Sequence, residues 1–275
     1  MSLEDQMVDR VLMGHWPDQE PYYRVPGKTG WAPLPNGYRY FNASFPVNDP
    51  VLATDCSAFD WTYPAWLVEL LLELRIDLLK TRDARYEAML RARWQDVFHR
   101  AVFRMPDGRR FQQTLPGIMK SGWLRTIAEN SSGQLLTHGL AWMRSGNDIR
   151  EFPEFWSMGD DVIMSWEEHR DPEAFESALA TTGLAVKFSS RRREFGGYLI
   201  EGDIVTPLYA PKHRFMLRHT PPDLVEDVAF AYTVLYACAK EEVRNEFHSK
   251  VCPHSRIGPR VAERWCRGEF DWNVG

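Results

Sequence analysis

The chain has 275 residues, 44% hydrophobic and 26% charged, an ordinary globular composition with material for one large domain or two small ones. Its 33 basic and 38 acidic residues give a net charge of −5, which excludes a globally basic nucleic-acid binder and leaves only local basic patches for such a contact. Eleven Trp and 18 Pro point to broad packed surfaces joined by rigid connections, and the four cysteines lack CxxC spacing, so they read as free thiols in a reducing compartment.

In chain order, Ser2-x-x-Asp5 ahead of Met7, Val8, Val11 and Leu12 is a capping box opening a short amphipathic helix, with no signal peptide before it. Trp16 to Pro50 is rich in Pro, Gly, Asn and aromatics and reads as irregular structure ordered by its rings. Val51 to Thr54 is a buried-strand signal leading into Asp55. Trp66 to Lys80 reads as a helix with Leu67, Leu71, Leu74 and Leu78 on one face, and a second helix is expected from Ala84 to Arg100. Phe103 to Gln112, broken by Pro106-Asp107-Gly108, is a hairpin signal. Thr126 to Arg144 carries Leu135, Leu136, Leu140 and Met143 at helical spacing.

Two short apolar arms, 155–158 and 162–166, flank Gly159-Asp160-Asp161 and form a tight hairpin pattern. Pro172 to Thr182 looks helical; 184–188, 195–200 and 204–209 look like strands, with Gly202-Asp203 turning the last pair. From Leu224 to Phe247 the pattern is helical, ending in a less regular tail. The apolar stretch Val228 to Ala239 is too short to cross a bilayer and reads as a buried helix. Without repeats or low-complexity linkers, one continuous domain with subdomains is expected.

Three separated pieces converge on one chemistry. Asp55 and Asp60 bracket the end of a strand, Ser121-Gly122 enters a helix carrying Thr126 and Asn130, and Asp160-Asp161 sits at a hairpin tip. Nucleotidyl transfer uses two metal ions roughly 3.5–4 Å apart, one at the attacking 3′ oxygen and one at the triphosphate. Mg²⁺ takes hard oxygen ligands and keeps several waters, so a few carboxylates with phosphates suffice. A strand packed beside the hairpin would set Asp55 next to Asp160, and the mutual repulsion of such carboxylates favours a cation. Thr126 and Asn130 share a helical face, and with Asp60 they suit recognition of a ribose 2′-OH, the group that separates RNA from DNA. Singly, each pattern has a plain alternative: a solvated turn, a helix cap, a surface acidic pair. Their conjunction, in this order and context, carries the functional reading.

Asp55-x4-Asp60, Ser121-Gly122-x3-Thr126-x3-Asn130 and Gly159-Asp160-Asp161 resemble motifs A, B and C of the RNA-dependent RNA polymerases of positive-strand RNA viruses. Asp55 to Trp61, Lys120-Ser121-Gly122 and Leu3 to Arg10 are most similar to the sobemovirus and luteovirus-like branch, and the resemblance covers roughly residues 1–215. It implies an α+β right-hand fold: an antiparallel palm sheet flanked by helices (51–80 and 121–215), fingers-like segments (1–50 and 81–120) and the start of a helical thumb (216–275). It implies Asp55, Asp160 and Asp161 as ligands of two Mg²⁺ or Mn²⁺ ions. Asp60, Ser121, Gly122, Thr126 and Asn130 would select the ribonucleotide, and Lys187 would be the motif D lysine that protonates pyrophosphate. Phe195 to Phe215 resembles motif E, with Lys212 and Arg214 near the primer strand, and Lys120 is a further RNA contact. The implied partners are an RNA template, a primer or nascent strand and NTPs, in the host cytoplasm.

The basic fingers segment of the family, motif F, is not found; Arg24 and Lys28 are a weak substitute. The chain is therefore expected to be a fragment, or one part of a divided polymerase completed by an upstream polypeptide. Three other readings stand beside this one. A reverse transcriptase would place a bulky aromatic at Asp60, a non-catalytic RNA-binding fragment would explain the missing segment, and a two-metal phosphatase or nuclease would show His among its ligands. Arg191-Arg192-Arg193 reads as a solvated turn or a phosphate contact, and zinc at His248, Cys252, His254 and Cys266 stays open despite non-standard spacing.

Overall fold

The computed structural model describes residues 2–80 and 83–269. The chain forms two compact units: 2–30, 54–164 and 168–190 in the first, and 31–53, 165–167 and 191–269 in the second. Residues 31–50 join the C-terminal part because the rings of Trp31 and Phe41 pack on Phe195, with centroids 5.5 and 6.4 Å apart.

The first unit opens with α1 (Leu3–Met13), whose capping box forms as the sequence implies. The helix is seated differently from its apolar pattern. Leu3, Met7, Val8 and Val11 face outward, while Asp9 is buried with Leu12 and Met13. A bidentate contact holds Asp9 inward: Arg93 Nε and Nη2 donate to its two oxygens at 2.7 and 3.1 Å.

In the second unit, α2 (Gly37–Ser44) lies inside the stretch expected to be irregular. Strand β1 (Val51–Cys56) then delivers Asp55 and is followed by the one-turn helix α3 (Phe59–Thr62), entered through Ala58 in the left-handed region at φ 48°. Helix α4 (Ala65–Leu78) buries Leu67, Val68, Leu71, Leu72, Arg75 and Ile76, so its inner stripe keeps the expected Leu67 and Leu71 but continues on Arg75 and Ile76, with Leu74 half-buried and Leu78 exposed. Helix α5 (Ala84–Phe98) follows, then the hairpin of β2 (Val102–Arg104) and β3 (Arg110–Gln112) around the expected turn.

Helix α6 (Thr126–Arg144) has the expected bounds but an unexpected inner face. It buries Glu129, Asn130, Ser131, Gln134, Thr137 and His138, whereas Met143 is exposed. A polar face is stable inside only if each group finds a partner. Glu129 meets Arg75 Nε at 3.0 Å and Arg125 Nε at 3.1 Å; both arginines also bind Glu20, and Arg75 donates to Ser132. Trp16 lies under both guanidinium groups, 5.7 and 5.1 Å from its ring centroid.

Strands β4 (Phe155–Met158) and β5 (Asp161–Ser165) form the expected antiparallel hairpin, and α7 (Pro172–Ala180) leads to β6 (Val186–Ser190). The sheet order is β4-β5-β1-β6, which sets the hairpin beside β1. Gly159 at φ 67° occupies the first central position of the two-residue turn, where a positive φ matches strand twist and favours glycine.

In the second unit, β7 (Glu194–Phe195), β8 (Tyr198–Glu201) and β9 (Ile204–Pro207) form an antiparallel meander. The single strand expected over 195–200 is split by the positive-φ pair Gly196-Gly197. Helix α8 (Ala210–Arg218) takes the end of the motif E region. The long helix expected over 224–247 is two, α9 (Val225–Leu235) and α10 (Glu241–Val251). They part because Cys238 O accepts from Val205 N (2.8 Å) and Lys240 N donates to Thr206 Oγ1 (3.1 Å). After α11 (Pro259–Cys266), residues 270–275 of the expected irregular tail lie outside the described residues. No described helix is long and apolar enough to cross a membrane.

Glu129→Ala leaves two buried guanidinium groups short of a carboxylate. Loss of one partner from a buried pair costs about 3–5 kcal/mol, so urea unfolding should show a large drop in midpoint, with Glu129→Gln recovering part of it.

Candidate active site

Asp55 sits near the end of β1, Asp160 in the turn and Asp161 at the start of β5. The adjacency of β5 and β1 brings them to one edge of the sheet; burial pushes the thiol of the neighbouring Cys56 up to about 11, and the carboxylates of Asp55 and Asp160 push the same way. Asp160 is exposed, Asp55 and Asp161 half-buried, so the carboxylates line an open edge. Lys187, on β6, donates its ammonium to Asp55 Oδ2 at 3.0 Å, which makes it part of this centre.

Asp60, in the first turn of α3, is gripped from two sides: Asn130 Nδ2 donates to Oδ1 at 2.9 Å and the Ser121 hydroxyl donates to Oδ2. Three of the expected sugar-sensing residues are thus in contact. Thr126 is not part of the grip, because its hydroxyl donates to Lys120 O (2.7 Å) and Trp123 O (3.0 Å) and so ties the loop to α6. Gly122, at φ 87° and exposed, allows the sharp turn after Ser121. Asn130 is buried, and its Oδ1 is enclosed without a hydrogen-bond partner among the described residues.

The loop ahead of Ser121 is over-determined. Ile118 is held in the left-handed region at φ 56°, where a β-branched residue is strained. Its N–H donates to Tyr63 O (3.1 Å), and Met119 N donates to Asp60 O (2.8 Å). Lys120, expected to touch RNA, is buried here: its ammonium donates to Gln113 Oε1, Gly117 O and Ile118 O at 2.5, 3.1 and 2.7 Å. Burial pushes it down to about 8. It is a clamp of the loop, with no surface to offer a phosphate.

Other basic residues expected at RNA are likewise engaged. Lys28 is buried on Tyr22 O and Val25 O, 4.5 Å from the Trp156 ring centroid. In the second unit, Arg193 donates to Asn42 Oδ1 and to the carbonyls of Phe45, Pro46 and Ile200 and is not solvated, whereas Arg191 and Arg192 beside it are exposed, as a solvated turn requires. Arg214 forms a two-point ion pair with Glu246 at 2.6 Å, while Lys212 on the same helix is exposed.

Sequence reading missed the side chains that hold the hairpin. Ser131 Oγ accepts from Gly159 N at 3.0 Å, and Gln134 Nε2 donates to Asp160 O at 3.1 Å. His138 Nδ1 faces Gln134 O at 2.8 Å and therefore carries the proton, which leaves Nε2 to accept from Thr54 Oγ1 at 2.9 Å, one residue before Asp55. The available signal was a polar stripe at 130, 131, 134, 137 and 138, at helical spacing, beside the more conspicuous leucines.

Among the described residues, no three His, Cys, Asp or Glu side chains close into a metal cage. For Asp55, Asp160 and Asp161 this means that the three carboxylates do not by themselves form a closed ligand set. It does not match the zinc reading, which needs four closed ligands. His248 Nε2 donates to Thr233 O at 3.1 Å, Cys266 lies against Cys238 and Val234 O, and the four cysteines are free.

The fold class is that of a polymerase palm. The polymerase of a sicinivirus is similar at TM-score 0.69 and 15% identity, covering 93% of this chain and 59% of that one. The polymerase of a human picobirnavirus is similar at TM-score 0.66 and 15% identity, covering 94% and 51%. The sequence model described as viral RNA-directed RNA-polymerase matches residues 43–193, and the chain belongs to this family. It is 30% identical over 247 residues to the replicase polyprotein P2AB of Southern cowpea mosaic virus, covering 83% of this chain and 24% of the relative. It is 28% identical over 206 residues to the RNA-directed RNA polymerase of mushroom bacilliform virus (72% and 47%), and 35% over 104 residues to protein P1-P2 of potato leafroll virus (36% and 10%). These relatives place it in the sobemovirus and luteovirus-like branch, and the chain spans from a tenth to about half of their lengths.

Burial holds His138 at about 4, below its ordinary 6.5. The unfolded chain takes up the proton first, so this stability is complete above pH 6.5 and is lost as pH falls toward 4. The gap between the folded and unfolded values corresponds to roughly 3 kcal/mol. Unfolding titrations should show this slope in the parent chain and a flatter one in His138→Gln.

Proposed function

We propose that the chain carries the catalytic centre of an RNA-directed RNA polymerase, which adds NTPs to an RNA 3′ end on an RNA template during viral genome replication. The observation that carries this reading is the Asp60 grip beside the carboxylates. Asn130 and Ser121 hold Asp60, whose half-exposed carboxylate is an acceptor for a hydroxyl donor. A ribose 2′-OH supplies that donor, and a deoxyribose does not. Asp60 also occupies the position where a bulky aromatic would exclude the 2′-OH in a reverse transcriptase.

Asp55, Asp160 and Asp161 are the residues to hold two Mg²⁺ or Mn²⁺ ions. Bound ions would activate the 3′ oxygen and neutralise the triphosphate. Ser131 and Gln134 fix the backbone that presents Asp160, and His138 fixes the strand that presents Asp55. Lys187, exposed beside Asp55, is placed to give a proton to the departing pyrophosphate. Lys212 is the remaining expected contact to the primer strand. With Lys28 and Lys120 buried, basic groups for the triphosphate come in this reading from a longer polypeptide or a partner chain.

Primer extension on an RNA template with Mg²⁺ or Mn²⁺ tests the reading, using the chain alone and joined to a longer replicase polypeptide. Asp160→Ala should reduce extension by at least about a hundredfold, the scale of removing a group that stabilises the transition state. An alanine variant as active as the parent would refute the assignment. Asn130→Ala should lower the preference for NTP over dNTP by about tenfold, one hydrogen bond's worth, while a uniform loss on both substrates would deny it the sugar role.

A further inference from the structure

The net charge of −5 requires RNA to be met by a local basic patch, yet Lys28, Lys120, Arg193 and Arg214 are engaged internally. The β2–β3 hairpin is different. Both strands stand out in solvent, with only Phe103 half-buried. Its register sets Arg104 directly opposite Arg110. Paired residues of an antiparallel ladder point to the same face with Cβ atoms about 4.5–5.5 Å apart, and like charges there are destabilising. Among the described residues neither arginine has an ion-pair partner, whereas the flanking Arg100 and Arg109 are satisfied by Asp96 and Asp107. Two opposed, unpaired guanidinium groups form a fork suited to an anion with several acceptor oxygens.

A second observation concerns the other face. Phe111 is 50% exposed, opposite Phe103 and 5.7 Å from the Arg109 guanidinium. The ring and the fork lie on opposite faces of this narrow two-stranded hairpin, so a single strand wrapped over its exposed edge meets both, stacking a base on one side and setting its backbone on the other. The hairpin is also rigidly rooted. Gln113 N donates to Ala101 O at 2.8 Å, and the Gln113 side chain donates to Phe98 O and Gly117 O, in the loop that leads to Ser121.

The geometry points to the β2–β3 hairpin as a binding surface for single-stranded RNA, with Arg104 and Arg110 on a phosphodiester group and Phe111 stacked on a base. This rests on the polymerase reading, since RNA is the anion that reading supplies. It adds a contact outside the catalytic carboxylates and the sugar grip.

Binding of a short unstructured single-stranded RNA to the full chain, measured across a salt series, tests it. Arg104→Glu turns the opposed like charges into an ion pair. The hairpin surface should then lose RNA affinity by at least about tenfold, while the melting temperature stays at or above that of the parent. Arg104→Ala with Arg110→Ala should flatten the logarithmic salt dependence by about 1.4, the value for two lost contacts to a single strand. Phe111→Ala should weaken binding by a factor of about five or more without changing that slope. If the parent binds and these variants bind equally well with the same slope, the hairpin is not the contact. Unchanged RNA binding is also the result expected if the fork instead met an acidic protein surface. If the parent itself binds no RNA, the polymerase reading fails first.

Discussion

Glu129 is fully buried in the middle of the first unit, and a carboxylate in that position is stable only with a complete set of donors. Arg75 and Arg125 supply them, Glu20 balances the second charge of the pair, and Trp16 closes the stack beneath both guanidinium planes. The arrangement brings together α4, α6 and the segment after α1. It fixes the rotation of α6 about its axis. With Glu129 turned inward, Asn130 and Ser131 follow by helical geometry, and one reaches Asp60 while the other reaches the Gly159 turn. Apolar packing alone would tolerate some rotation of this helix, whereas a carboxylate between two arginines tolerates little. The close approach of Tyr63 shows the same demand. Its hydroxyl donates to Glu129 O at 2.9 Å, and a Cβ at Gly133 would lie 2.2 Å from that oxygen.

The consequence is a catalytic edge positioned mostly through backbone atoms. Gly159 N, Asp160 O and Thr54 Oγ1 are all held by α6 side chains, while the carboxylates themselves stay out at the open edge. This division suits a metal that must exchange with substrate phosphates. The carboxylates need freedom to take up ions, and their mutual repulsion in the ion-free state is relieved by Lys187 at Asp55 and by solvent. The backbone that carries them needs no such freedom, and it has little.

How legible this was depended on the kind of interaction. Hairpin turns, the capping box and the bounds of α6 follow from local chemistry, and they were readable from Gly159, Ser2 and the Thr126–Arg144 periodicity. The strand, helix and hairpin settings of the three acidic motifs were readable in the same way, and the structure brings Asp60, Ser121 and Asn130 into contact. What stayed hidden was any choice decided by a distant partner. Leucines of α6 suggested an apolar inner face, but the true face is polar, because Arg75, 54 residues away in sequence, joins the local Arg125 on Glu129. Asp9 turned α1 over for the same reason, through Arg93 at the far end of another helix. The break between α9 and α10 depends on β9 receiving the backbone of Cys238, which no local pattern announces.

Basic residues show where a charge-based reading has to yield to geometry. A lysine or arginine in a polymerase sequence invites assignment to a phosphate, but a buried cation surrounded by carbonyls is already satisfied. Moving it to RNA would leave those carbonyls unpaired. Lys120 illustrates this: beside Ser121 in sequence, it spends its donors on Gln113, Gly117 and Ile118, and its effect on the sugar site is to stiffen the loop that carries Ser121. Arg104 and Arg110 carry no motif, yet they are the cations that the fold leaves facing each other without a counter-charge. In a chain with a net charge of −5, the unsatisfied cation is the informative one: its repulsion persists until an anion arrives, and the fold retains it without any internal use.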